Sequence, residues 1–492
     1  MRAALALAAA LVAGSCGPAA TATPGVSPTS RTPARELAGQ QMRECTVGAT
    51  LARCGSLLVP VDPARPDGRR IDLRVAVVPA TGSDRVTKAL FLITGGPGGA
   101  STESFSWATT AFAGLRPTHD FVMVDQRGTG GSDQLRIPPR PDVGGLSPAA
   151  RADALAAWTR AGFAALPDDA RFYTTRAAAD DLDAVRAGLG YPAIDVYGAS
   201  YGATVAQYYA RQHADRLRSL VLDGGTLLDV PVLELIANNV ERALDMLFKR
   251  CDADRACTIA YPSLRDEFAT VMQRLSVAPV KSSVPDPFGR QFVIGPKEFA
   301  AALHMALVTH VTAAQVPYRI HIAYLERWDE LARAAAAEGA GVASLDELAM
   351  SLVIRCNEPW ARYDPAEISR VSGSAFDAPT QIMWAEDQAA ACRGVARAPI
   401  GADEGTAVTS SVPALLLVGE ADPQDPVGNL ADARTELPAS MSVVVPGHGH
   451  TVAHIGCVGT IASAFVAAGT AAGLDASCLA RGGAPLAPFR IP

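Results

Sequence analysis

Ile194-Asp-Val-Tyr-Gly198-Ala-Ser200-Tyr-Gly202 joins a short apolar run, Ile194–Tyr197, to a stretch with helical patterning, Ala203–Arg211. A serine with a glycine two residues away on each side, set between a strand and a helix, is the pattern of a nucleophile elbow. The turn must be tight, and only glycine leaves room beside a serine whose hydroxyl projects from a strained backbone. The pattern occurs once in the chain. Serine is a weak nucleophile until a base takes its proton, so this reading requires an acid and a histidine further along, in that order.

Both are found downstream. Pro413-Ala-Leu-Leu-Leu-Val-Gly-Glu-Ala-Asp422 reads as an apolar strand running into a turn, and Asp422 just past its end is the expected orienting acid, with Glu420 and Asp425 as nearby competitors. The next strand, Met441–Val445, runs into Pro446-Gly-His448-Gly-His450. His450 is the expected base, because glycine before it leaves an unhindered loop; His448 is second, and His454 is expected to begin the next helix. His119 and His213 read as solvated. A metal reading of His448-x-His450 lacks a third ligand at recognisable spacing, so no metal is assigned.

Acyl transfer also needs N–H groups aimed at the developing oxyanion. Ala89-Leu-Phe-Leu-Ile-Thr94 leads straight into Gly95-Gly-Pro-Gly-Gly99, a loop whose backbone can approach a substrate closely. The oxyanion hole is assigned to the N–H groups of Gly96 and Tyr201. A phosphate-cradling role is excluded by the missing Gly-Lys-Ser/Thr ending. The resulting chemistry needs no organic cofactor.

From about residue 71, short apolar runs alternate with helical or turn-rich stretches, the pattern of a mostly parallel sheet covered by helices. Strands are expected at Ile71–Pro79, Ala89–Thr94, Asp120–Val124, Ile194–Tyr197, Ser219–Leu222, Ala414–Val418 and Ser442–Val445. A helix is expected between Tyr173 and Gly190, capped by Thr174 or Thr175. After Gly225 the strand rhythm gives way to helical patterns at Val232–Lys249, Pro296–Val308, Val316–Ala337 and Ser344–Ile354, and it returns at Val412. The expected layout is a core over residues 41–225, a helical lid inserted at 226–395, and the rest of the core at 396–492.

Composition narrows the partners. With 492 residues, 49% of them apolar, the chain can bury a large core. Its 43 basic and 50 acidic residues give a net charge of −7 without a run of like charges, which argues against a nucleic-acid partner. Met1-Arg2 followed by the apolar run Ala3–Ala13 and small residues has the layout of a secretory signal, and the run is too short to span a bilayer. Residues 1–15 are expected as a signal peptide, with Ala13-Gly-Ser-Cys16 as a lipobox that leaves a lipidated Cys16; cleavage after Ala22 is the alternative. Residues 16–40 read as a flexible tether. Nine cysteines leave eight without Cys16, an even number suited to an oxidising compartment. Spacing suggests Cys45–Cys54, Cys251–Cys257, Cys356–Cys392 and Cys457–Cys478.

Together, Gly95-Gly-Pro-Gly-Gly99, Asp125-Gln-Arg-Gly-Thr-Gly130, Gly198-Ala-Ser-Tyr-Gly202, Gly419-Glu-Ala-Asp422 and Gly447-His-Gly-His450 resemble the proline iminopeptidase and tripeptidyl aminopeptidase branch of the α/β-hydrolases. Thr94 stands where proline iminopeptidases usually carry histidine, so the tripeptidyl group is the closer likeness. The resemblance implies an α/β-hydrolase fold with a lid after the sixth core strand. It also implies an exported serine hydrolase of aminopeptidase type, acting on peptides with a free N-terminus. Such an enzyme must hold a protonated α-amine, and Glu358 in Cys356-Asn-Glu-Pro-Trp360 is the expected carboxylate, with Trp360 as a pocket wall. Asp125 and Arg127 are expected to pair with each other. Alternatives are a carboxylesterase or small-molecule amide hydrolase, and a non-catalytic surface-binding lipoprotein.

Overall fold

The computed structural model describes residues 35–82, 88–285, 292–334, 349–359, 364–399 and 401–492. The signal peptide, Cys16 and Trp360 lie outside the described residues. Nine strands form one sheet: β1 (Arg43–Val47), β2 (Thr50–Pro60), β3 (Arg70–Val78), β4 (Lys88–Ile93), β5 (His119–Val124), β6 (Ile194–Ala199), β7 (Leu217–Asp223), β8 (Ala414–Gly419) and β9 (Ser440–Val445). Their order is β9-β8-β7-β6-β4-β5-β3-β2-β1. The pairs among β4 to β9 are parallel, and β1, β2 and β3 add antiparallel at one side.

Parallel strands covered on both faces lose the polar alternation of an open sheet. Every residue of β5 and of β8 is accordingly buried. Along β8, Leu416 and Val418 enter one apolar layer while Leu415 and Leu417 enter the other. The first layer is covered by α2 (Thr175–Gly188) and α3 (Tyr201–Gln212), and the second by α8 (Val458–Ala468), with Val185, Tyr208 and Phe465 among their buried residues. Thr174 caps α2, its side chain accepting the Ala177 N–H at 3.2 Å.

The register ties the strand ends together. Ile93 is paired with Gly198, Ala199 with Asp223, and Gly419 with Val445. The segments that follow these residues therefore emerge at the same carboxyl edge, where open α/β folds bind ligands.

Between β7 and β8 the described residues form helices and loops, with one short antiparallel pair, Val280–Lys281 and Val293–Ile294. Its helices include α4 (Val232–Ala253), α5 (Pro296–Leu307), α6 (Ala349–Asn357) and α7 (Ala378–Ala391). This block has a core of its own, with Val240, Leu247, Phe299, Leu303 and Ile320 buried together. Earlier in the chain, α1 (Pro148–Ala164) packs against α7. All four disulfides form as the cysteine spacing suggests.

Four expectations are corrected. The end of the expected tether is folded, since Glu36–Leu37 pairs with Gln40–Gln41 and Leu37 is buried. The helix expected from Val316 stops at Tyr324, and Glu326 takes a positive φ of 60° that breaks it. His454 lies in a turn ahead of α8 and packs its ring against Trp107. His119 is fully buried, 3.4 Å from Asp195, because it starts a strand covered on both faces.

Candidate active site

Ser200 sits at φ 54° and ψ −127° between β6 and α3, in the strained turn that the glycine spacing anticipates. A Cβ on Gly198 would lie 2.3 Å from the Gly202 carbonyl oxygen, and one on Gly202 would lie 2.2 Å from the Ile93 oxygen. Neither position admits a side chain. The Ser200 N–H donates to the Asp223 oxygen at 2.9 Å, fixing the turn to the end of β7.

Asp422 is fully buried and accepts three hydrogen bonds: His450 Nδ1–H at 2.8 Å on Oδ2, and the N–H groups of Gln424 (2.8 Å) and Asp425 (3.0 Å) on Oδ1. Burial alone would raise the carboxyl, but the imidazolium charge, its hydrogen bond and the backbone donors together hold it below the usual range. For His450 the balance runs the other way. Burial opposes protonation, yet the charge and hydrogen bond of Asp422, with Asp425 and Asp223 further off, push it up to about 9. His450 Nε2 is buried and has no hydrogen-bond partner among the described residues. Ser200 Oγ thus makes no hydrogen bond to it here, a contact that often tightens only around a substrate. Gly224 lies against the base, and a Cβ added there would come within 3.0 Å of the His450 ring.

The helical block braces both catalytic turns. Arg242 of α4 donates to the carbonyl oxygens of Glu420 and Asp422, each at 2.7 Å. Val308, at the end of α5, accepts the His450 N–H at 2.7 Å. From the sheet side, Asp223 accepts the Val452 and Ala453 N–H groups at 2.7 and 2.9 Å and the Tyr197 hydroxyl at 2.6 Å, anchoring the loop beyond His450. Sequence reasoning missed Asp223 and Arg242; an aspartate closing an apolar strand was the available signal for the first.

The competitors fall into place around this pair. Glu420 accepts the Gly447 N–H at 2.8 Å on the surface side. Asp425 Oδ2 stands 3.7 Å from His450 Nδ1. His448 is buried away from the serine, donating through Nδ1 to the Pro446 carbonyl at 2.9 Å and packing on His310.

Over Ser200 lies a cavity of about 370 Å³, which Gly96, Pro97 and Tyr201 also line. Its lining is apolar for the most part and includes Leu155, Trp158, Leu352 and Trp384. Gly96 adopts a φ of 124°, where its added Cβ would meet the Gly98 nitrogen at 2.8 Å.

Glu358 does not line this cavity. It is buried and accepts from the Thr175 N–H at 2.5 Å and from Thr175 Oγ1 at 2.6 Å, at the positive end of α2. With the Thr175 hydroxyl proton given to Glu358, Tyr201 must be the donor in its own 2.9 Å hydrogen bond to Thr175 Oγ1. Glu358 therefore acts on the residue after the nucleophile through one intermediary. The expected Asp125–Arg127 pair does not form. Arg127 makes a bidentate pair with Asp181 of α2 (2.6 and 2.7 Å), and Asp125 accepts from Thr102 and Gly131 instead.

The family model described as the α/β-hydrolase fold matches residues 88–455, and the chain belongs to that family. Over 209 residues it is 31% identical to tripeptidyl aminopeptidase of Streptomyces coelicolor, a match covering 38% of each chain. Over 202 residues it is 30% identical to serine protease Hip1 of Mycobacterium tuberculosis, covering 35% of this chain and 36% of the relative. These alignments therefore span little more than a third of the curated relatives' length. The resemblance to the tripeptidyl aminopeptidases is thus borne out. The crystal structure of proline iminopeptidase from Mycobacterium smegmatis aligns with a TM-score of 0.34 at 14% identity, covering 84% of this chain and 98% of that one.

Proposed function

We propose that the chain is an exported serine hydrolase of aminopeptidase type, releasing short peptides or single residues from free N-termini through an acyl-enzyme. The observation that carries this reading is the buried 2.8 Å bond from His450 to Asp422, beside a strained Ser200 that opens on a cavity. Ser200 Oγ attacks the scissile carbonyl while His450 takes its proton and then delivers it to the leaving amine. Asp422 holds the imidazole in the tautomer that presents Nε2. The N–H groups of Gly96 and Tyr201 meet the oxyanion, and water resolves the acyl-enzyme. The helical block acts as the lid, and its apolar wall suits the side chains of a peptide's first residues.

The names of the two relatives support the peptidase reading over a carboxylesterase, which the same triad would serve equally. Export is supported by four disulfides, which persist in oxidising compartments. No helix among the described residues is long and apolar enough to cross a membrane, so attachment through Cys16 is the proposed link to a cell surface. The test is Ser200→Ala assayed on peptidyl nitroanilides. A fall in kcat of about 10⁴-fold or more supports the assignment, and retention of full activity overturns it.

A further inference from the structure

Among the described residues, two carboxylates line the cavity over Ser200, those of Asp387 and Asp425. Asp387 is already neutralised, since Arg151 Nε and Nη2 reach it at 2.5 Å each and Arg140 Nη2 at 2.6 Å. Asp425 pairs with no arginine or lysine among the described residues. Its Oδ1 accepts from Thr226 Oγ1, a hydroxyl also engaged by Asn429 Nδ2 at 2.8 Å, and its Oδ2 lies 3.7 Å from His450 Nδ1. That imidazole already commits its Nδ1–H to Asp422 at 2.8 Å.

Burial pushes the Asp425 carboxyl up to about 6, with the Asp422 charge adding to the rise while His450 and Thr226 oppose it. A carboxylate whose nearest cation, the His450 imidazolium, already gives its Nδ1–H to Asp422 gains from a second cation that arrives with a ligand. The loop that carries it is fixed. Asp425 N–H is bound to Asp422 Oδ1, and Asn239 Nδ2 holds the Gln424 carbonyl at 3.2 Å. Asp425 is thus presented to the cavity in a set orientation, at the same end as the base.

We propose that Asp425 receives the protonated α-amine of the substrate and is the residue that selects free N-termini. This assignment rests on the aminopeptidase reading above and moves the amine site from Glu358 to the turn that also carries the orienting acid. An acylated N-terminus brings no charge, leaving the half-buried Asp425 without that cation, so the site discriminates by what it would leave unpaired.

The experiment compares free and N-acetylated alanyl nitroanilides of one and three residues in wild type and Asp425→Asn, with a fluorophosphonate label counting intact sites. The expected result is a fall of about tenfold or more in the ratio of kcat/KM for free over acetylated substrate, chiefly through KM on the free amine. Partial recovery of that ratio in Asp425→Glu is expected as well. If both rates drop together and the ratio stays at its wild-type value, Asp425 serves His450 alone and the assignment is overturned. A wild-type enzyme indifferent to acetylation would instead sink the aminopeptidase reading, and this one with it.

Discussion

Gly95 and Ser200 stand so close that a methyl group on Gly95 would lie 2.6 Å from Ser200 Cβ and 3.1 Å from its Oγ. The first glycine of the oxyanion loop is therefore fixed by the nucleophile it faces. Gly95→Ala should displace the serine or the loop, with a loss in kcat of about 100-fold, as small misplacements at a reacting centre cause. Steady-state kinetics beside a thermal melt checks this; a variant that melts normally and keeps wild-type kcat would refute the close approach.

The pH profile follows from the sign of the His450 shift. Only the neutral imidazole accepts the Ser200 proton, and a histidine pushed up to about 9 stays charged at neutral pH. On the N-acetylated substrate, which has no amine to titrate, kcat/KM should rise about tenfold per pH unit until it levels near the raised value, whereas on a free amine it should turn down above about pH 8 as the substrate loses its charge. Asp422→Asn removes the charge that does most to hold the proton on His450, so the rising limb should move to lower pH while the plateau falls by about 10⁴-fold. A limb centred near 6.5 in the wild type would contradict this balance.

Arg127 and Asp181 are a buried bidentate pair, and Arg127 Nη1 also donates to the carbonyls of Val61 (3.2 Å) and Phe172 (2.8 Å). Asp181→Asn leaves a guanidinium charge in the interior. The expected cost is about 3–5 kcal/mol in denaturant unfolding, well above that of a surface pair.

Thr175 links Glu358 to Tyr201. Thr175→Val breaks that link while keeping shape. We expect a loss of about 1–3 kcal/mol in stability from the hydroxyl withdrawn from a buried carboxylate, together with a lower kcat at nearly constant KM if the Tyr201 N–H meets the oxyanion as proposed. A loss of stability with kcat intact would make the link purely structural.

The site was legible in sequence where chemistry and backbone geometry coincide. Glycines at 95, 198 and 202 mark places where no side chain fits, and Asp422 and His450 follow apolar strands at the required order and spacing. The strands β1 and β2 went unassigned because exposed residues of both kinds, Glu44, Leu51 and Leu58 among them, blur the apolar pattern and Gly55 interrupts the second; the protein fills that gap with Met42, 3.2 Å from where a Cβ would stand. Partner choice was less legible. Arg127 pairs across 54 positions, Glu358 across 183, and His119 is buried by strands on both sides, none of which local spacing encodes.

Each of the four disulfides closes within the sheet region or within the helical block, and none crosses between them. Among the ties that do cross are the Arg242 bonds to the acid turn and the Val308 bond to the base. The roof is thus seated on the backbone of the catalytic turns themselves. Any force that levers the two bodies apart, whether an oversized ligand or a low dose of denaturant, loosens acid and base first, so the enzyme falls silent while its sheet is still whole.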